Sequence, residues 1–428
     1  MRRSLVLIIT AALLAAACGA ESTTPTTTTT MPVGGVGGQM EELIAATERI
    51  RGLEFVEAPV VVILSREALT RRVADLIDEE LDPDEVAVWQ EIYGVLGLLD
   101  RSVDLGDAYR GAYAEQVAGF YDPETGEMFV GADAALTPLD RSIVVHELIH
   151  ALTDQHFGWW SELDGLTTAG EYDAAAAIHA LAEGDATYFQ LIYLQSLPIG
   201  DYISAVEESL AADTTVLDSL PGWFAADLVF PYDAGFRFVS RLVDSGGVDA
   251  VDQAYRLAPS TTEQILQPGK YFISEPALQV VLPPLDLDGY EVFDEGPFGA
   301  WGRQNLLLDG ISDADRIIAT GGWGGDHLRI HWDGSRVAVA FVLEADTPSD
   351  ATELASALVD AMEARGLGPG RSTDPGVTVF DTGSGYVEVR AGERHVAMVI
   401  ATEATAGAAV GAALVSVVGE GDDRDVAQ

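Results

Sequence analysis

His146-Glu147-Leu148-Ile149-His150 places two imidazoles four residues apart, with a carboxylate beside the first. On an α-helix that spacing turns the second histidine only about 40° from the first and lifts it one turn, so both rings can reach one metal ion from one side. Glu147 lies about 100° round from His146. It is off the ligand face yet close enough to take a proton from water at the metal. Two neutral nitrogen donors and a nearby base are what a catalytic zinc site needs to activate water near neutral pH. The bare five-residue pattern also arises by chance on surface helices, so its surroundings decide.

The helix around the motif is well specified. Thr137-Pro138-Leu139-Asp140 offers a capping hydroxyl, a proline at the first helical position and a carboxylate at the third. Ile143, Val144, Leu148, Ala151 and Leu152 then supply an apolar stripe. A third ligand is required, and two residues are candidates. His156 stands six residues after His150, the spacing of the extended metzincin pattern, but Thr153 occupies the place of the glycine that turns the chain there. On a continuing helix His156 points roughly 120° away from the other two rings. It is expected to be a helix-end histidine favoured by the dipole. Glu183, in Ala182-Glu183-Gly184-Asp185-Ala186, sits in a strongly helical run from Glu171 to Leu197. A carboxylate inside a mostly apolar helix is costly to bury without a cation. Gly184 beside it costs about 1 kcal/mol of helix stability relative to alanine, which points to a close backbone approach. The competing reading makes Glu183 and Asp185 exposed helix charges.

His146 to His150 followed by Glu183-Gly184-x-Ala186 resembles the gluzincin branch of the zincin metallopeptidases. The resemblance implies His146, His150 and Glu183 as zinc ligands and Glu147 as general base. One common gluzincin feature is missing: Thr187 stands where an aspartate often buttresses a ligand histidine. Asp154, Asp185 and His179 are the candidates for that buttress, since a ligand histidine usually donates its other nitrogen to a carboxylate or carbonyl. Tyr232, Tyr271 and His179 are candidates to steady an oxyanion, although a satisfied, half-buried core position explains each tyrosine better. Upstream, Gly119–Asp122 and Glu127–Val130 read as two strands joined by the turn Pro123-Glu124-Thr125-Gly126. The zincin likeness implies that the Met128–Val130 strand edges the cleft and pairs with an extended peptide. The resemblance spans roughly residues 110 to 190.

The 428 residues suffice for two domains with cores. Met1-Arg2-Arg3 and the apolar run Leu5–Ala17 read as a secretory signal, residues 1–17. Ala15-Ala16-Ala17-Cys18-Gly19 resembles a bacterial lipobox, with alanine replacing the usual leucine three before the cysteine. Cys18, the chain's one cysteine, is then the lipid attachment site, tethering the protein to the outer face of the cell membrane. Residues 18–38 form a Thr/Gly-rich linker unable to bury a core. The expected fold class is α+β: a mainly helical domain over 39–287, then a smaller α+β, sandwich-like domain over 288–420 with a sheet and helices on one face, then an acidic tail over 421–428. Gly321–Asp326 is expected as a turn cluster opening that second domain, and His327, His331 and His395 as ordinary sheet residues.

Acidic residues outnumber basic ones 69 to 23, a net charge of −46, and Lys270 is the sole lysine. That balance excludes nucleic acid as a natural partner and argues against binding anionic lipid. The expectation is therefore a membrane-tethered, extracytoplasmic zinc peptidase acting on peptide or protein. A non-catalytic zincin-like surface module is the alternative, and hydrolysis of a non-peptide amide or ester is a third. Retention of Glu147 argues against the second, because a purely structural zinc needs no base.

Overall fold

The computed structural model describes residues 36–114, 119–211, 220–383 and 385–419. The signal, the Cys18 anchor, most of the linker and the acidic tail lie outside the described residues. Among those described, no helix is long and apolar enough to cross a membrane. The architecture is α+β: a helical N-terminal part followed by a seven-stranded antiparallel sheet with its helices.

The chain opens with α1 (Val36–Arg51), β1 (Val60–Leu64), α2 (Arg66–Glu80), α3 (Pro83–Val95) and α4 (Leu105–Ala114). The hairpin β2 (Gly119–Asp122) and β3 (Glu127–Gly131) follows, its tight turn using Gly126 at φ 69°. α5 (Pro138–Phe157), α6 (Trp159–Ala169), α7 (Tyr172–Ser196) and α8 (Ile199–Leu210) come next. Then come α9 (Gly222–Gly246), α10 (Val248–Arg256), α11 (Thr262–Leu266) and α12 (Pro268–Phe272). The first sheet runs β1-β3-β2, with β1 parallel and β2 antiparallel to β3. The Met128–Val130 segment is thus the middle strand. The expectation that it forms an open edge for a peptide is corrected: both its sides are already hydrogen-bonded, and β2 is the outer strand.

α5, α7 and α9 form the centre of the helical part. Thr137 accepts from the Asp140 N–H while the Asp140 carboxylate takes the Thr137 N–H, the expected reciprocal cap. α7 and α9 cross backbone to backbone at two glycines. A Cβ on Gly184 would overlap the Gly235 backbone, and one on Gly235 would overlap the Ala180 carbonyl oxygen. Around this crossing Leu181, Ala182, Phe230, Phe238 and Val239 make a continuous core. α9 carries Pro231 in its interior.

The second sheet has the order β4-β5-β6-β10-β9-β8-β7, every pair antiparallel. Its strands are β4 (Glu291–Gly296), β5 (Trp323–Trp332), β6 (Val337–Ala345), β7 (Arg371–Asp374), β8 (Val377–Thr382), β9 (Gly385–Ala391) and β10 (His395–Ala401). The accompanying helices are α13 (Gly299–Leu306), α14 (Asp313–Ala319), α15 (Pro348–Ala364), α16 (Ala404–Ala413) and α17 (Val415–Gly419). Helices cover both faces, not one. Val339, Phe341 and Met398 pack on α15 and on Val88 and Ile92 of α3, whereas Ala340, Val342 and Val399 pack under Val410 and Leu414. Every residue of β6 is buried for that reason. Trp323–Asp326, expected as a turn, already belongs to β5, and only Gly321–Gly322 makes the turn. Lys270 ties the two parts together, its ammonium 2.9 Å from Glu263, 2.7 Å from Glu275 and 3.0 Å from Asp346 just past β6.

Candidate metal centre

Two helices deliver the group. α5 turns His146 and His150 to the same side, as the four-residue spacing requires, and α7 presents Glu183 opposite them. His146 Nε2 lies 3.1 Å from Glu183 Oε2 and 3.1 Å from His150 Nε2, and His150 Nε2 lies 3.4 Å from the same Oε2. All three residues are buried and form one group able to hold a metal ion. Donor atoms sharing one tetrahedral ion at about 2.0–2.1 Å stand about 3.3 Å apart, so the spacing fits the donor set of such an ion. Chemistry agrees with geometry. Two buried imidazole Nε2 atoms and one carboxylate oxygen crowd together, a donor set that one shared ion would satisfy.

The electrostatics suit ligation. Burial opposes charge on Glu183, but the His150, His146 and His179 imidazoles around it outweigh burial and hold its carboxyl well below the usual range. Burial pushes His150 below its ordinary value, keeping it the neutral donor a metal needs. Burial acts on His146 in the same direction, but the hydrogen bond and charge of Glu183 prevail and raise it.

Glu147 stays out of the triangle. It is completely buried, and its Oε2 accepts the Tyr121 N–H of β2 at 3.0 Å. β2, one of the two outer strands, therefore fixes the Glu147 carboxylate with its backbone. Asp154, expected as a possible buttress, accepts from the Tyr121 hydroxyl at 2.9 Å and the Trp160 N–H at 3.2 Å, and bonds neither ligand ring. It steadies β2 and so acts on Glu147 at one remove. Asp185 points away from the group: it pairs with Arg51 at 3.1 Å and accepts from the Tyr255 hydroxyl at 3.1 Å. Two residues from Glu183 on a helix means the opposite face. His179, one turn before Glu183, brings Nε2 to 3.4 Å from Glu183 Oε1. It supports the carboxylate rather than a histidine.

Tyr232 stacks over His146, ring centroids 6.2 Å apart and planes 25° apart. Tyr271 lies elsewhere, donating to the Leu257 carbonyl. His156 contacts the Glu54 carbonyl at 2.7 Å, on the outside of α5. Gln190 is the neighbour that the sequence reading missed. It is buried beside His146, and its Nε2 donates to Ser142 Oγ at 3.3 Å, leaving its carbonyl oxygen as the end able to accept from the ring. It stands seven residues after Glu183, on the same helix face. That spacing was the available signal.

Among known families, a domain of unknown function (DUF8575) matches residues 288–411, the C-terminal sheet and its helices. The metal group lies outside that stretch. No curated protein matches the chain. One solved structure is similar, described as "a putative hydrolase with a novel fold from Chloroflexus aurantiacus", at 15% identity and a TM-score of 0.36. The similarity covers 57% of this chain and 92% of that one. At that score it carries no argument about this protein.

Proposed function

We propose that this chain is a zinc-dependent metallopeptidase of the gluzincin kind, exported and tethered to the outer face of a bacterial membrane through Cys18. The observation that carries the reading is the buried triangle of His146, His150 and Glu183, with a fourth residue, the acidic Glu147, held beside it and outside it. A bound zinc supplies Lewis acidity, polarising a substrate carbonyl and acidifying water. The residues do the remainder. Glu183 contributes the single negative charge of the ligand set, and the two histidines stay neutral. Glu147 takes the proton of the attacking water and returns it to the leaving nitrogen. The Tyr121 N–H fixes where that carboxylate sits. Tyr232, stacked against His146, is the candidate donor to a developing oxyanion.

The test is hydrolysis of a peptide library by wild type and Glu147→Gln, each with its zinc content measured. Retained zinc with activity reduced about 10²–10⁴-fold is expected for loss of a general base. Full activity in the variant rules the mechanism out, and stoichiometric zinc without cleavage in wild type favours a binding module instead.

A further inference from the structure

A cavity of about 350 Å³ lies between α3, α7, α9, α13 and the inner face of the C-terminal sheet, and the metal chemistry does not use it. Its size is that of a small-molecule pocket. Trp89, Tyr93 and Trp223 stack in series along one wall, with centroids 5.4 and 4.0 Å apart. Trp301, stacked on Phe230 at 4.3 Å, closes another, and Leu328 and Phe341 of the sheet complete the apolar lining. The charges in that lining have one sign: Glu85, Asp173, Asp227 and Asp294 are among them, and no lysine or arginine is, among the described residues.

Asp227 is the informative group. Its side chain is exposed to the cavity, and its carboxylate sits among the aromatic walls. Among the described residues both of its hydrogen bonds fall on Oδ1, from the Trp301 indole at 2.8 Å and the Asn305 amide at 3.4 Å. Oδ2 is left for a ligand. Burial pushes its carboxyl up, the mark of a carboxylate short of a counter-cation. The Tyr93 hydroxyl stands near enough to both Asp227 and Glu85 to be held neutral by burial and by their charges. Aromatic faces and a carboxylate converging in one cavity are the two elements that recognise an ammonium or guanidinium.

We infer that this cavity binds an organic cation with an apolar body, its charge seated on Asp227 Oδ2 and its body between Trp89, Trp223 and Trp301. The surface charge of the molecule alone does not produce this arrangement, because a solvated carboxylate needs no aromatic wall. The assignment stands apart from the peptidase reading and holds whether or not the metal group is catalytic. The cavity does share a helix face with that group. Tyr172 and Ala176 line it, and His179 and Glu183 follow at helical spacing, about 10 Å from Ala176 to Glu183. The cation can therefore come free or as the basic side chain of a peptide.

The experiment is calorimetric titration of the full chain with phenylbutylamine and with its neutral counterpart phenylbutanol. The amine is expected to bind about tenfold or more tightly than the alcohol. Asp227→Asn is expected to remove that advantage and leave alcohol binding unchanged. Ala176→Leu, which keeps every carboxylate and fills the space, is expected to weaken both ligands, and it serves if Asp227→Asn does not fold. Amine binding no tighter than the alcohol's, or binding untouched by either folded variant, overturns the assignment. Acetyl-Phe-Lys-amide separates the sources: binding equal to the amine's assigns a peptide side chain, and amine binding alone assigns a free amine.

Discussion

Gln190 shows what a single side chain does for the metal group. It stands behind His146, and Thr187, where the proposed gluzincin reading leads one to expect a carboxylate, has no hydrogen-bond partner for its buried hydroxyl. Gln190→Ala should weaken zinc binding about 10–100-fold with the fold intact, measured by competition with a chromophoric chelator. Proton competition gives a second residue-scale expectation. Glu183 raises His146 in the metal-free protein, so zinc competes there with a proton held more tightly than on an ordinary histidine. Zinc affinity should fall as pH is lowered from 8 towards 6, beginning at higher pH than for an unperturbed imidazole. The ligand residues were legible because helical spacing alone puts His146 and His150 together, and because a glutamate in an apolar helix demands a cation. The buttress was not. Asp154 and Asp185 were reasonable by type, but their directions depend on β2 and on Arg51, both distant in sequence.

Helix crossing is the device that sets the site at the scale of elements. α7 carries Glu183 and α9 carries Tyr232, and the two approach at Gly184 and Gly235 with no room for a methyl group. Gly235→Ala should cost about 1–3 kcal/mol by overpacking and lower zinc affinity, read from denaturant titration and the same chelator assay. Gly165→Ala in α6 is the control: a Cβ there meets nothing within 4 Å, so the change should be neutral or stabilise by up to about 1 kcal/mol. Gly184 announced its role in the sequence, since a glycine inside a helix needs a reason; Gly235 did not, because its partner lies on another helix. Strands reveal the same limit. β5, β6, β8, β9 and β10 carry apolar or alternating runs that read as strands, whereas β4 and β7 carry no such run. Those two are the sheet's outer strands, β7 is exposed throughout, and an exposed strand has no apolar face to read.

Across the whole molecule, the helical part and the C-terminal sheet share a core, since Val88 and Ile92 of α3 pack with Val339 and Phe341. No local pattern signals such a contact. A buried acid marks the same junction. Asp173 accepts from Thr262, faces the charge of Asp326, and is pushed up to about 7, chiefly by burial. Its unfolded value is about 4, so the native state binds the proton more tightly and stability falls as pH rises from about 4 to about 7. Asp173→Asn should flatten that part of the profile and raise stability above pH 7 by up to about 4 kcal/mol, by thermal or urea unfolding across pH. The acidic surface adds a slope of the same sign, so the difference between the two proteins is the quantity to read. The central claim is that two helices bring three side chains to one cation. Anomalous diffraction from zinc-grown crystals at the zinc edge tests it most directly. The account predicts one strong peak about 2 Å from His146 Nε2, His150 Nε2 and the Glu183 carboxylate. Ordered zinc elsewhere, with that triangle empty, would contradict it.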